Sequence, residues 1–318
     1  MKKRIFSLFL ALLMLATLLG GCQTEKETKP DMTKAFFPLN PADDGVLRIL
    51  AIGNSFCYYF TDELYGMLKA AGIEAVVTNA YHSGTTLEQH WTWLNGKNKE
   101  YLFTTHSTNG KYTDENRVDL EAGIRSQNWD VITIQQHYDP SQSMDFDTAY
   151  GLMEPYAGNL IAYLKEKFPL AEHYWHHTWA YEVGYTGWKE GLAEECKVLS
   201  VEKQTTNYEI IRQTALKMCE DHKVDRIPAG DAWQLARADA RVGDHLCARA
   251  GVNEDKGDGY HDGDIGGGQY LNACVWFETI TGQSCIGNTF RPSYKLSETM
   301  ITALQEAAHQ AVAAMSAN

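Results

Sequence analysis

Arg48-Ile49-Leu50-Ala51-Ile52-Gly53-Asn54-Ser55-Phe56 is an apolar, partly β-branched run that ends in two turn formers and a hydroxyl. It reads as a buried strand that delivers a serine to its carboxyl end. A helical pattern follows at once. Thr61 is placed to cap it, Asp62 and Glu63 sit in its first turn, Leu64, Met67, Leu68 and Ala71 recur at helical spacing, and Gly72 stops it. In an open α/β sheet the crevice beyond the strand ends is where ligands bind, so Ser55 occupies a place suited to chemistry. A Gly-x-Ser tripeptide also suits an ordinary strand-to-helix turn, in which the serine merely satisfies backbone groups.

The same pattern recurs outward from this stretch. Residues 73–78 read as a second strand, running into a loop that contains Gly84, either a turn glycine or a point where backbone can approach a ligand. Residues 129–134 form a third strand followed by Gln135, Gln136 and His137; an amide there can donate to an oxyanion or brace the loop. Strands at 173–178 and 224–228 complete a set of five. Helices are expected at 120–126, from about Pro155 to Phe168, around 208–219 and at 268–281. Five strands each followed by a helix imply a parallel sheet covered on both faces. Residues 87–113 carry Trp91, Trp93, Tyr101, Phe103 and Tyr112 without a clean period, and read either as a helical excursion or as part of a substrate-facing wall. Tyr181 to about Lys203 reads as an insertion flanking the crevice.

Residues 1–22 have the order of a secretory leader. Lys2, Lys3 and Arg4 precede an apolar run from Ile5 to Leu19, which ends in Leu19-Gly20-Gly21-Cys22. That ending resembles a bacterial lipobox, in which the cysteine is acylated and becomes the mature amino terminus. The apolar run is short for a membrane span. A polar spacer over residues 23–45 then links Cys22 to a domain at 46–318. The expected product is an exported protein, lipid-anchored on the extracytoplasmic face of a bacterial membrane. Formal net charge is −13, and loss of the three basic leader residues lowers it by 3 to −16. That balance argues against nucleic acid and anionic headgroups as partners. Six cysteines follow Cys22 at 57, 196, 219, 247, 274 and 285, without the density of a disulfide scaffold.

Two polar clusters invite chemistry. His173, His176 and His177 fall close together, yet alternation sends His176 and His177 to opposite faces of a strand, which disfavours a shared metal. The loop Asp255-Lys256-Gly257-Asp258-Gly259-Tyr260-His261-Asp262-Gly263-Asp264 directly precedes a helix. A serine hydroxyl needs a base, and a histidine serves best when a carboxylate fixes its tautomer, as Asp258-x-x-His261 allows. Calcium held by Asp255, Asp258, Asp262 and Asp264, at a spacing unlike an EF-hand, and plain solvated surface are the rival readings.

Taken together, Gly-Asn-Ser after the first strand, a glycine loop after the second, an amide after the third and Asp-x-x-His before the last helices resemble the SGNH, or GDSL-type, hydrolase superfamily. The combination is similar to that of an uncharacterised branch found in bacterial lipoproteins and secreted proteins. The resemblance spans Ile49 to about Thr281 and implies a flavodoxin-like three-layer α/β/α fold with a central five-stranded parallel sheet. It implies Ser55 as nucleophile, His261 as base and Asp258 as the residue orienting the base, with no cofactor or metal. It implies an oxyanion hole from the backbone N–H groups of Ser55 and Gly84 and a side-chain amide. Where the superfamily has an asparagine in Gly-x-Asn-Asp, this chain offers Gln135 and Gln136, of which Gln136 is preferred. The activity expected is ester hydrolysis, on O-acetylated extracellular polysaccharide. The alternative is a non-catalytic glycan-binding lipoprotein that keeps the fold.

Overall fold

The computed structural model describes residues 44–136, 145–189, 195–252, 254–255 and 257–316. The leader, Cys22, most of the spacer, and the His137-Tyr138-Asp139 stretch lie outside the described residues. The strand opened by Arg48 is β1 (Leu47–Gly53), followed by a 3-10 turn over Ser55–Cys57 and helix α1 (Thr61–Ala70). Thr61 lies inside the helix rather than capping it: Phe60 is the cap residue and the Thr61 hydroxyl donates to Tyr58 O at 2.9 Å.

Next come β2 (Ala75–Tyr81), α2 (Leu87–Gly96), β3 (Tyr101–Ser107), β4 (Gly110–Val118), α3 (Leu120–Ile124) and β5 (Val131–Gln135). Then follow α4 (Phe146–Lys167), β6 (Glu172–His176), α5 (Val201–His222), β7 (Asp225–Ile227), α6 (Ala229–Ala238), α7 (Gly268–Thr281) and α8 (Glu298–Ser316). The sheet order is β4-β3-β2-β1-β5-β6-β7. The five expected strands are β2, β1, β5, β6 and β7, all parallel and in the flavodoxin-like order. The sheet has seven strands rather than five because β3 and β4 add an antiparallel hairpin beside β2. The aromatic stretch read as a helix or a wall is divided: its first part, with Trp91 and Trp93, is helix α2, and its second part, from Tyr101, is this hairpin. Its outer strand β4 is largely exposed and carries Lys111, Asp114, Glu115 and Arg117, charges that discourage another chain from pairing with the open edge.

Alternation along the strands feeds two cores. Ile49, Ala51, Val77 and Val131 pack toward α1, α6, α7 and α8; Leu50, Ile52, Ile132 and Ile134 pack toward α2, α3, α4 and α5. Helix α7 is buried all round from Gly268 to Glu278, which explains its lack of a polar stripe. Helix α4 begins nine residues before Pro155, because Asp145 caps it by accepting from Thr148 N at 2.8 Å, and the proline is carried within the helix.

Candidate active site

The reversal of strand order falls between β1 and β5, and the turn after β1 is built around Asn54. Asn54 Oδ1 accepts from Phe56 N at 3.0 Å and from Gln135 Nε2 at 2.7 Å. Gln135 Oε1 accepts from Asn54 N at 3.1 Å, and Asn54 Nδ2 donates to Thr85 O at 3.1 Å. One side chain thus joins the turn after β1, the end of β5 and the loop after β2. Gly53 is required by this closeness, since a Cβ there would sit 2.6 Å from Gln135 Oε1. Ser55 follows on the turn, 7 % exposed.

Asp258 organises the second half. Its Oδ1 accepts from the backbone N–H groups of Tyr260 at 3.1 Å and His261 at 2.9 Å, and its Oδ2 lies 2.6 Å from His261 Nδ1. The carboxylate that folds the turn therefore also aims the ring. The other ring nitrogen, Nε2, is 2.7 Å from Ser55 Oγ. With Nδ1–H donated to Asp258, Nε2 is left to accept from the serine hydroxyl, the tautomer that this hydrogen-bond network assigns. Gly257 enters the loop at φ +62 with its missing Cβ against Cys247 O, so a side chain has no room there.

The loop is held from below by the residues that follow β6 and by the start of the segment read as an insertion. Trp179 Nε1 donates to Tyr260 O at 2.9 Å, Glu182 N to Gly259 O at 2.8 Å, and Trp179 stacks on Phe56 and Trp233 at 4.8 and 4.3 Å. Around the His261 ring stand Tyr260 at 4.2 Å, Tyr59 edge-on at 5.3 Å and Phe56 at 5.8 Å. Burial works against ionisation of Asp258, but the hydrogen bonds from the His261 ring and backbone outweigh it and hold the carboxyl below its ordinary value. Its neighbour Asp262 behaves oppositely: full burial pushes its carboxyl well above the carboxylate range, although Asn272 Nδ2 donates to it at 3.1 Å.

The structure brings Ser55, His261 and Asp258 together. It turns Gln136 away, and this corrects its expected role as third oxyanion donor. Successive side chains at a strand end point to opposite faces. Gln135 therefore reaches Asn54, while fully buried Gln136 donates through Nε2 to Ile211 O at 3.1 Å and accepts from Trp175 Nε1 at 3.2 Å. Both amides brace loops. Gly84 is exposed at φ +65, on a loop tied to the Ser55 turn by His82 N to Gly53 O at 3.3 Å and by the Asn54–Thr85 bond. The backbone N–H groups of Ser55 and Gly84 have no hydrogen-bond partner among the described residues.

The remaining candidates lie elsewhere. Cys57 is buried, receives Asn79 Nδ2 at 3.0 Å, and has its thiol pushed up to about 12 by burial, so it stays protonated. His176 packs among Phe60, Trp179 and Trp276, whereas His177 approaches Arg226 and Asp231. Burial pushes both imidazoles down to about 3. The aspartates read as a calcium cage have separate commitments: Asp264 Oδ1 accepts from Ala250 N and Ile265 N, Asp262 meets Asn272 and Asp258 meets His261, while Asp255 is exposed. Among the described residues, Cys196 is exposed, Cys219 partly buried, and Cys247, Cys274 and Cys285 buried, all as free thiols.

Asn54 is the site residue that sequence reading undervalued. Its signal was its position between a glycine and a serine at a strand end, with a glutamine following a neighbouring strand. Asn54→Asp is expected to replace the donor to Thr85 O by a second acceptor. Leaving that buried carbonyl unpaired costs about 1–3 kcal/mol. The variant should have a lower Tm in thermal unfolding, and an unchanged Tm would remove Asn54 from loop assembly.

Residues 48–311 match the model of a family described as a domain of unknown function, DUF4886. Among solved structures, the chain is similar to a DUF4886 family protein from Bacteroides uniformis, with 26% identity over 84% of this chain and 95% of that one and a TM-score of 0.69. It is also similar to a protein from Slackia heliotrinireducens described as a candidate SGNH hydrolase, with 17% identity over 74% and 99% of the two chains and a TM-score of 0.48. A third is a protein from Parabacteroides merdae described as a candidate GDSL-like lipase, with 17% identity over 73% and 94% and a TM-score of 0.45. No curated protein matches the chain.

Proposed function

We propose that this chain, which belongs to the DUF4886 family, is a serine ester hydrolase of the extracytoplasmic face, acting on O-acetyl groups of polysaccharide. The observation that carries the reading is the continuous hydrogen-bonded path from Ser55 Oγ through His261 to Asp258, at 2.7 and 2.6 Å. In the proposed reaction Ser55 Oγ attacks the acyl carbonyl while His261 Nε2 takes the hydroxyl proton. The negative oxygen that forms is met by the N–H groups of Ser55 and Gly84. His261 then returns the proton to the departing alcohol oxygen, leaving an acyl-serine. Water, deprotonated by the same nitrogen, attacks that ester, and the carboxylic acid leaves as Ser55 regains its proton. Ionised Asp258 keeps the imidazolium formed in each half favourable.

Export through the leader and acylation at Cys22 belong to the same proposal, on the residue order of the amino terminus. A non-catalytic glycan binder would have no use for a serine and an imidazole at hydrogen-bond distance.

A fluorophosphonate should label Ser55 in the wild-type protein and fail to label His261→Ala at a comparable rate. Labelling that survives loss of the histidine undiminished would remove His261 as the base. Acetate release from acetylated xylan, set against hydrolysis of short acyl glycerides, tests the substrate class.

A further inference from the structure

A cavity of about 590 Å³, within the ~300–1,000 Å³ of small-molecule sites, is lined by Tyr59, the residue that links it to His261. The Tyr59 ring meets His261 edge-on at 5.3 Å and forms part of the cavity wall. The rest of that wall includes Glu63 from α1, Asp264 and Gln269 beside the start of α7, and Phe290 and Tyr294 from the segment before α8.

The wall selects among ligands. Glu63 is only 6 % exposed, and its carboxyl group and the buried Tyr294 hydroxyl face each other, Oε2 and the hydroxyl having no other hydrogen-bond partner among the described residues, so both keep unmet hydrogen-bonding capacity. An acyl chain would leave such groups unsatisfied and away from water, which costs free energy. An anion would meet the Asp62, Glu63 and Asp264 carboxyl groups, and the Arg291 guanidinium in the same wall is already paired with Glu298 at 3.0 and 2.8 Å. Among the described residues no set of three His, Cys, Asp or Glu side chains is arranged to hold a metal ion. A neutral polyhydroxylated ring satisfies the wall, because each hydroxyl both donates and accepts, and its C–H faces suit Tyr59 and Phe290. Burial raises Glu63 to about 7, which lets its carboxyl group serve as donor as well as acceptor near neutral pH.

We propose that this cavity is the subsite for a neutral sugar unit of the substrate, placed beside His261 by Tyr59. This deepens the esterase reading and rests on it for the ester, but the sugar binding stands separately. The test uses the full chain in a Ser55→Ala background and xylo-oligosaccharides as the probe, followed by calorimetry. Binding at or below ~1 mM is expected. Ser293→Trp, which plugs the cavity from an exposed position on its wall, should weaken binding at least tenfold, and Glu63→Gln by a smaller factor with Tm retained. In the active chain, the ratio of kcat/KM on acetylated xylan to kcat/KM on 4-nitrophenyl acetate should fall at least tenfold in Ser293→Trp. Undiminished binding in both variants, no binding of the neutral oligosaccharides, or a preference for glucosamine oligomers would each overturn the proposal. If no ester is turned over while sugar binding is lost on plugging, the esterase reading fails and the subsite stands. If esters are turned over and plugging changes nothing, the subsite fails alone.

Discussion

Ser55→Ala is expected to lower kcat on 4-nitrophenyl acetate by at least ~10⁴-fold, to the level left by binding and backbone donors alone. The size of the effect follows from what the hydroxyl does. In the proposed reaction it is the atom that forms the covalent bond, and without it His261 would have only a bulk water to activate. The fold should be indifferent to the change. Ser55 Oγ bonds to His261 Nε2 and to no other described group, and the turn around it is held by Asn54 and Gln135 side chains. A Tm close to that of the wild type, measured beside the turnover loss, would separate chemistry from folding. Turnover within a few fold of wild type would take Ser55 out of the mechanism.

The second large effect is expected from Asp258→Asn, about 10⁴-fold in kcat, by analogy of role with serine hydrolases whose orienting carboxylate is made an amide. The reason is which nitrogen carries the proton. Asp258 Oδ2 accepts from Nδ1–H, leaving Nε2 free to take the proton of Ser55. In the asparagine variant the surviving carbonyl oxygen keeps the Tyr260 and His261 backbone donors, so the new NH₂ faces the ring. That makes Nδ1 the acceptor and puts the proton on Nε2, where it blocks the abstraction. Proton NMR of the imidazole and the rate on an activated ester would test both halves. A ring proton remaining on Nδ1 with full activity would show that Asp258 does not set the tautomer.

The parallel sheet was legible in sequence because each of its strands is an apolar run that stops at turn formers, as Ile49–Ile52 stops at Gly53 and Asn54. The hairpin was not. In β3 the apolar run Tyr101-Leu102-Phe103 does not alternate and gives way to threonines and a histidine, while β4 has only Tyr112 and Val118 among polar and charged residues and buries none of its residues. A strand that borrows its stability from the neighbour it pairs with leaves little alternation to read. At the site, Asp258 and His261 were legible because the turn they form is local. Gln136 was misplaced because its neighbour Gln135 is chemically identical, and only the pleat decides which amide faces the serine turn. The support beneath His261 from Trp179 and Glu182 was hidden by distance in sequence.

Ser55 and His261 lie 206 positions apart, and the other four parallel strands are encoded between them. A contact of such long range forms only after the intervening chain is in place. On the proposed reaction, reactivity toward a fluorophosphonate becomes a clock for maturation: a nascent or clipped polypeptide should stay silent until Ser55 and His261 have met.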